Sequence, residues 1–263
     1  MKNLKKELDK IIEEIASDFE NPLRDDELRQ LLFKPSKRIR SRLGILFLKI
    51  FEKELTPDLI KVFAATEIIH NASLLHDDVI DNAKFRRGLV TISEKYNQKI
   101  SILAGDYLLT CAIKKLISID NKEILEIFRN CTEKMCRAEI EQYYYRNKLP
   151  SKEKYLNICK NKTAILFIAL LESCAILTGL NREKAVLLAE KFGIIFQINN
   201  DLEELSAIQD KDNGIHTAID ILGVENTKIL LDNYLEELKI LLKDFPENIY
   251  KNNLEDLISS YVR

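Results

Sequence analysis

Three aspartates and two arginines in EIIHNASLLHDDVIDNAKFRRG, residues 67–88, carry the most explicit chemistry in the chain. Asp77 and Asp81 are four residues apart, so on a helix their carboxylates share a face, one turn from each other. Like charges in that position repel unless a cation lies between them. A hard divalent ion such as Mg2+ takes one or two carboxylates together with substrate phosphate oxygens. Arg86 and Arg87 add the planar donor fork that suits phosphate. Ahead of the acids, Ile68, Ile69, Ala72, Leu74, Leu75 and Val79 recur at helical spacing as an apolar wall. Together these residues describe a site for a diphosphate with an oily tail. The ordinary alternative is a solvated acidic helix end, and the apolar lead-in with twin arginines argues against it.

The elements that position these groups are helices. In 263 residues there are only 7 Gly and 5 Pro, scattered rather than clustered, and Leu, Ile, Lys and Glu dominate. That composition favours long helices over strands, and the fold is expected to be all-α. A hydrophobic content of 46% supports one good-sized core or two small ones, and no linker, repeat or low-complexity tract divides residues 1–263, so a single domain is expected. The net charge of -2, with both signs interspersed, makes no electrostatic case for nucleic acid or an anionic membrane. The N-terminal stretch is a charged amphipathic helix, about 2–18, rather than a signal peptide. The longest apolar run, 164–177, is interrupted by Glu172 and reads as a buried core helix too short to span a bilayer. Five cysteines without zinc-ligand spacing read as small core hydrophobes in a reducing cytoplasm.

Helix boundaries are marked along the chain. Pro35 breaks a pattern and Ser36 can cap a new helix, putting Lys37 and Arg40 near an N-terminus that favours anions. Thr56-Pro57-Asp58 starts a helix that should run to about residue 81. Further helices are expected at about 100–116, 124–146, after Pro150 with Ser151 as cap, at 226–242 and at 254–263.

SLLHDDVIDNAKFRRG resembles the first aspartate-rich motif, D-D-x-x-D followed by R-R-G, of the trans-isoprenyl diphosphate synthases, the polyprenyl synthetase family. The likeness runs strongly over residues 33–205 and is closest in pattern to long-chain, octaprenyl- or heptaprenyl-type synthases. Ser-Lys-Arg-Ile-Arg-Ser is similar to G-G-K-R-x-R-P without its glycines and proline. Gly105-Asp106 resembles the start of G-D-x-L-L, and AEIEQ at 138–142 resembles G-E-x-x-Q. FQINNDLEE is similar to the second motif, F-Q-x-x-D-D-x-x-D, with Asn200, Asp201 and Glu204 where three Asp are usual. Ile215 replaces the lysine of G-K-x-T, Lys211 is the nearby cation that could compensate, and a helix of the usual chain looks to be missing before 226.

The resemblance implies the isoprenoid synthase type I fold, a bundle of long antiparallel helices around a central cavity. It implies a Mg2+-dependent prenyltransferase that joins isopentenyl diphosphate to an allylic diphosphate and makes an all-trans polyprenyl diphosphate. It places Asp77, Asp78, Asp81 and Lys162 in the catalytic machinery and gives Asp77, Asp81, Asp201 and Glu204 as metal ligands. Arg86, Lys162, Thr163 and Gln197 would hold the allylic diphosphate, and a helix interrupted at Lys162-Thr163 would free donors for an anion. Lys37, Arg40, His70 and Arg87 would hold isopentenyl diphosphate, while His76 reads as structural. A homodimer in the cytoplasm, with no nucleic-acid partner and no transmembrane segment, completes the expectation. Small residues at Ala72 and Ser73, just ahead of the first motif, favour a long product. Two alternatives stay open: a non-catalytic or partner-dependent subunit of a heteromeric synthase, suggested by Asn200 and Ile215, and a terpene cyclase.

Overall fold

A computed structural model describes residues 2–17, 19–23, 26, 28–30, 37–86, 88–203 and 213–260, with side chains from residue 4 onward. Pro35, Ser36, Arg87, Glu204 and Lys211 lie outside the described residues. The chain divides into two compact units, residues 1–45 with 55–125 and residues 46–54 with 126–263. Almost all of the regular structure is helical, as the composition requires.

In the first unit, α1 (Lys2–Ser17) and α3 (Pro57–Ile80) pack together, and α3 lies along α5 (Gln98–Ile117). The start of α2 (Ile39–Ile50) also belongs here. Helix α3 begins where the sequence signals it: the Thr56 hydroxyl accepts from the Leu59 N–H at 3.3 Å, Pro57 is the first helical residue and Asp58 follows. It is buried on most of its circumference, Leu59 to Ala65 on one turn after another and Leu74 and Leu75 further on, so it forms the core of the unit. Lys115 on α5 is 2% exposed and donates to Glu14 at 2.9 Å, tying α1 to α5. A two-stranded ribbon, β1 (Phe85–Arg86) with β2 (Leu89–Val90), follows α3, and α4 (Ile92–Lys95) leads into α5. The sequence reading placed no strand here.

In the second unit, α6 (Lys122–Tyr144, from Glu126 onward) precedes α7 (Lys152–Cys159). Ser151 caps α7 through the Lys154 N–H at 3.2 Å, as expected. A π-helical turn at Lys160–Ala164 then passes into α8 (Ile165–Thr178). Together α7, the turn and α8 make a continuous helix of 27 residues, long and apolar enough by length and composition to cross a bilayer. The apolar run 164–177 is the later part of this longer helix, and the reading as a core helix holds: Ile165 to Leu171 are all buried within the unit. Helix α9 (Arg182–Leu202) packs on α8, with Phe167 against Phe192 at 5.3 Å, and on α11 (Val224–Leu242). Between them lies α10 (Ala218–Leu222), a short helix the sequence reading missed, closed by a capping box of Thr217 and Asp220. The last helix, α12 (Ile249–Ser259), starts five residues before the expected point.

Candidate active site

The first motif lies at the C-terminal end of α3. Asp81 is the cap residue, and its N–H donates to the Asp77 carbonyl at 2.8 Å, which keeps the two acids one turn apart. Both are half-buried, and the carboxylates stand where the helix dipole is already negative. A cation is therefore favoured there twice over, and oxygen donors of this kind fit Mg2+. Asp78 differs. It is 3% exposed, and the Arg86 Nε donates to its Oδ1 at 2.5 Å. Burial pushes the Asp78 carboxyl above the usual carboxylate range, while the Arg86 guanidinium pulls the other way. Asp78, expected in the catalytic machinery, is placed where it holds Arg86.

The His76 Nε2 donates to the Ile102 carbonyl at 3.3 Å and lies 3.3 Å from Asp106, the acid of Gly105-Asp106. A Cβ at Gly105 would lie 2.3 Å from the His76 ring, so a larger residue there would push the imidazole from its place. His70, two turns before Asp77, is half-buried. Lys37 is exposed and Arg40 is buried at the start of α2. Between them Arg38 adopts a left-handed backbone (φ 41°), and its side chain lies 3.6 Å from Glu67 of α3. Ser41, which stands where the resembling motif has proline, donates to the same Glu67 carboxylate at 2.6 Å. Glu67, 3% exposed, thus sets the geometry of the Lys37–Arg40 segment, a part the sequence reading did not give it.

In the second unit, Lys162 and Thr163 sit in the π-helical turn, so the interruption expected at these residues is present. The Lys162 Nζ lies 2.5 Å from Glu139 and donates to Gln142 at 2.6 Å. These are the acid and amide of the AEIEQ segment, recognised in the sequence without a role. Thr163 donates to the Gln197 Oε1 at 2.8 Å. The Gln197 Nε2 donates to Asp201 Oδ1 at 2.8 Å. Asp201 Oδ2 accepts from the Tyr155 hydroxyl and from the Ala218 N–H, each at 2.7 Å.

Asp201 is 2% exposed. Burial pushes its carboxyl upward, with the three donors pulling in the opposite direction. Both oxygens are engaged and enclosed, which does not fit the ligand role expected for Asp201. Asn200 beside it is half-buried, Glu203 is exposed, and Glu204 lies outside the described residues. Among the described residues no cluster of three His, Cys, Asp or Glu side chains is preassembled for a metal. The fit to Mg2+ rests on the Asp77–Asp81 pair.

The all-helical scaffold is that of the isoprenoid synthase type I fold; its first unit carries an acidic helix end with an anchored arginine, and its second a lysine held at a helix interruption. The polyprenyl synthetase family model matches residues 22–237, and the chain belongs to that family. It is 33% identical over 215 residues to the short chain isoprenyl diphosphate synthase of Methanocaldococcus jannaschii, covering 78% of this chain and 64% of that protein. It is 32% identical over 198 residues to the decaprenyl-diphosphate synthase of Dictyostelium discoideum, covering 74% of this chain and 43% of that protein. The chain thus spans less than two thirds of these relatives' length. Among solved structures, the geranyltranstransferase of Thermotoga maritima superposes with a TM-score of 0.80 at 29% identity, over 98% of this chain and 96% of that one. A decaprenyl diphosphate synthase from Rhodobacter capsulatus shares the fold with a TM-score of 0.90 at 22% identity, covering 99% and 97% of the two chains.

Proposed function

We propose that residues 1–263 act as one polyprenyl synthetase domain that condenses isopentenyl diphosphate with an allylic diphosphate to give a long all-trans polyprenyl diphosphate. The observation that carries the reading is the end of α3: two half-buried carboxylates one turn apart, with Arg86 fixed beside them by Asp78. Mg2+, the ion this family generally uses, would be held by Asp77 and Asp81 and would neutralise charge on the departing pyrophosphate. On the family resemblance Arg86 is assigned to the allylic diphosphate, and so are Lys162, Thr163 and Gln197 of the second unit. Lys37, Arg40, His70 and Arg87 are assigned to isopentenyl diphosphate, orienting its double bond toward the allylic carbon. Apolar residues of α3 supply no nucleophile, which protects a carbocation from capture.

Exposed Ile102, Leu103, Ile113 and Ile117 fall on one face of α5 and support pairing with a second copy of the chain. We assign the protein to the cytoplasm.

Asn200 and Ile215 keep the partner-dependent reading in view, and a relative at 32% identity carries the name heptaprenyl diphosphate synthase component 2, from Geobacillus stearothermophilus. Metal dependence separates the two readings. Asp77→Asn and Asp81→Asn should each lower turnover at least about a hundredfold, which corresponds to about 2.7 kcal/mol of lost transition-state stabilisation. Each should also raise the Mg2+ concentration needed for half-maximal rate. Turnover unaffected by either change would refute the assignment of the metal to this pair.

A further inference from the structure

We propose that Tyr155 is a positioning residue that acts through Asp201 and Gln197 on Thr163, with Asp201 serving the site as the junction of that chain instead of as a metal ligand. The inference deepens the prenyl-transfer reading and rests on it for its kinetic arm. The polarity of the chain follows from donor and acceptor inventories. An ionised carboxylate only accepts, so the Gln197 amide must turn its NH2 toward Asp201 and its oxygen toward Thr163. Thr163 must then donate its single hydroxyl proton to Gln197. One rotamer of Gln197 and one direction of the Thr163 hydroxyl are selected.

What holds the carboxylate itself is the hydroxyl of Tyr155, a residue of α7 that is 6% exposed, and the Ala218 N–H at the start of α10. Tyr155 lies one turn before Cys159 and two turns before Lys162, so the same continuous helix carries both the tyrosine and the turn that it steadies. An ion at Asp201 would have to share a carboxylate that is 2% exposed and already accepts three hydrogen bonds, from Gln197, Tyr155 and Ala218. Asp77 and Asp81 are half-buried.

The test compares wild type, Tyr155→Phe, Asp201→Asn and Asp77→Asn as full chains. Folding is checked by helix content and thermal midpoint. The first readout is Mn2+ titration in the presence of inorganic pyrophosphate, which needs no turnover. Asp201→Asn can keep every hydrogen bond by flipping the Gln197 amide, so it should leave the Mn2+ midpoint within about twofold of wild type, while Asp77→Asn should raise it at least about tenfold. The second readout is steady-state kinetics with farnesyl diphosphate and isopentenyl diphosphate. Tyr155→Phe should lower kcat/KM for farnesyl diphosphate about tenfold, with KM for isopentenyl diphosphate unchanged. Equal weakening of Mn2+ binding in Asp201→Asn and Asp77→Asn would overturn the assignment of Asp201. Wild-type kinetics in Tyr155→Phe, or loss shared equally by both substrates, would overturn the role of the tyrosine. A wild-type chain that binds Mn2+ with pyrophosphate but incorporates no isopentenyl diphosphate would instead count against the proposed function, and the titration would still decide Asp201.

Discussion

Lys162 is a flexible cation that could point in many directions, and its use depends on what holds it. Glu139 and Gln142, three residues apart on α6, offer one carboxylate and one amide oxygen to the same ammonium group. Each hydrogen bond with a charged member is worth about 1.5–3 kcal/mol, enough to hold a lysine that would otherwise sweep through solvent. Lys162→Ala should therefore weaken capture of the allylic diphosphate, raising its KM about tenfold or more, a loss of at least about 1.4 kcal/mol. Glu139→Gln, which keeps an acceptor but removes the charge, should have a smaller effect in the same direction. Steady-state kinetics with farnesyl diphosphate varied at saturating isopentenyl diphosphate measures both. Unchanged KM in Lys162→Ala would remove the lysine from the site.

Some of these residue roles were legible in the sequence and some were not. The Asp77–Asp81 spacing follows from helical pitch alone. The hold of Glu139 on Lys162 joins residues 23 positions apart on different helices, and no local pattern encodes it. Asp201 lies between: it stands four residues after Gln197 and three after buried Ile198, so its place on the inner face of α9 was open to inference from periodicity. The acidic character of the motif drew attention to charge and away from burial.

At the scale of elements, the π-helical turn and α9 are coupled through one glycine. A Cβ on Gly193 would come within 2.5 Å of the Ala164 Cα, which is backbone and cannot swing aside. Gly193→Ala should push α9 away from the turn that carries Lys162 and Thr163. Overpacking of this kind costs about 1–3 kcal/mol, so a drop of several degrees in Tm is expected, with activity falling further than stability because the turn itself moves. Calorimetry with parallel kinetics checks it, and a variant with wild-type Tm and rate would show that α9 has room to spare. The helix starts at Thr56 and Ser151 were readable from their capping residues. The ribbon at 85–90 and the five-residue α10 were missed because elements so short have no hydrophobic period to detect.

Over the whole molecule, apolar content with few Gly and Pro was sufficient to give the all-α class, since strands need turn residues this chain lacks. Product length is a property of the molecule as a whole, and relatives named for short-chain and for decaprenyl products are similarly close to it. The sequence made Ala72 and Ser73 equivalent candidates for the floor of a product tunnel. They are not equivalent: Ala72 has no exposed surface, while Ser73 is half-exposed. A ring at Ala72 would overpack the core of the first unit and cost stability. Ser73→Phe should shorten the longest product without that penalty, as read by chromatography of the released prenyl alcohols; an unchanged length distribution would place the stop elsewhere.

The claim beneath all of these is that the chain extends an allylic diphosphate. The direct measurement is incubation of the purified protein with Mg2+, farnesyl diphosphate and labelled isopentenyl diphosphate, followed by chain-length analysis. The account predicts a ladder of long all-trans products that disappears in Asp77→Asn. Absence of incorporation with any allylic primer, even at high Mg2+, would contradict it and favour a chain that works only with a partner subunit.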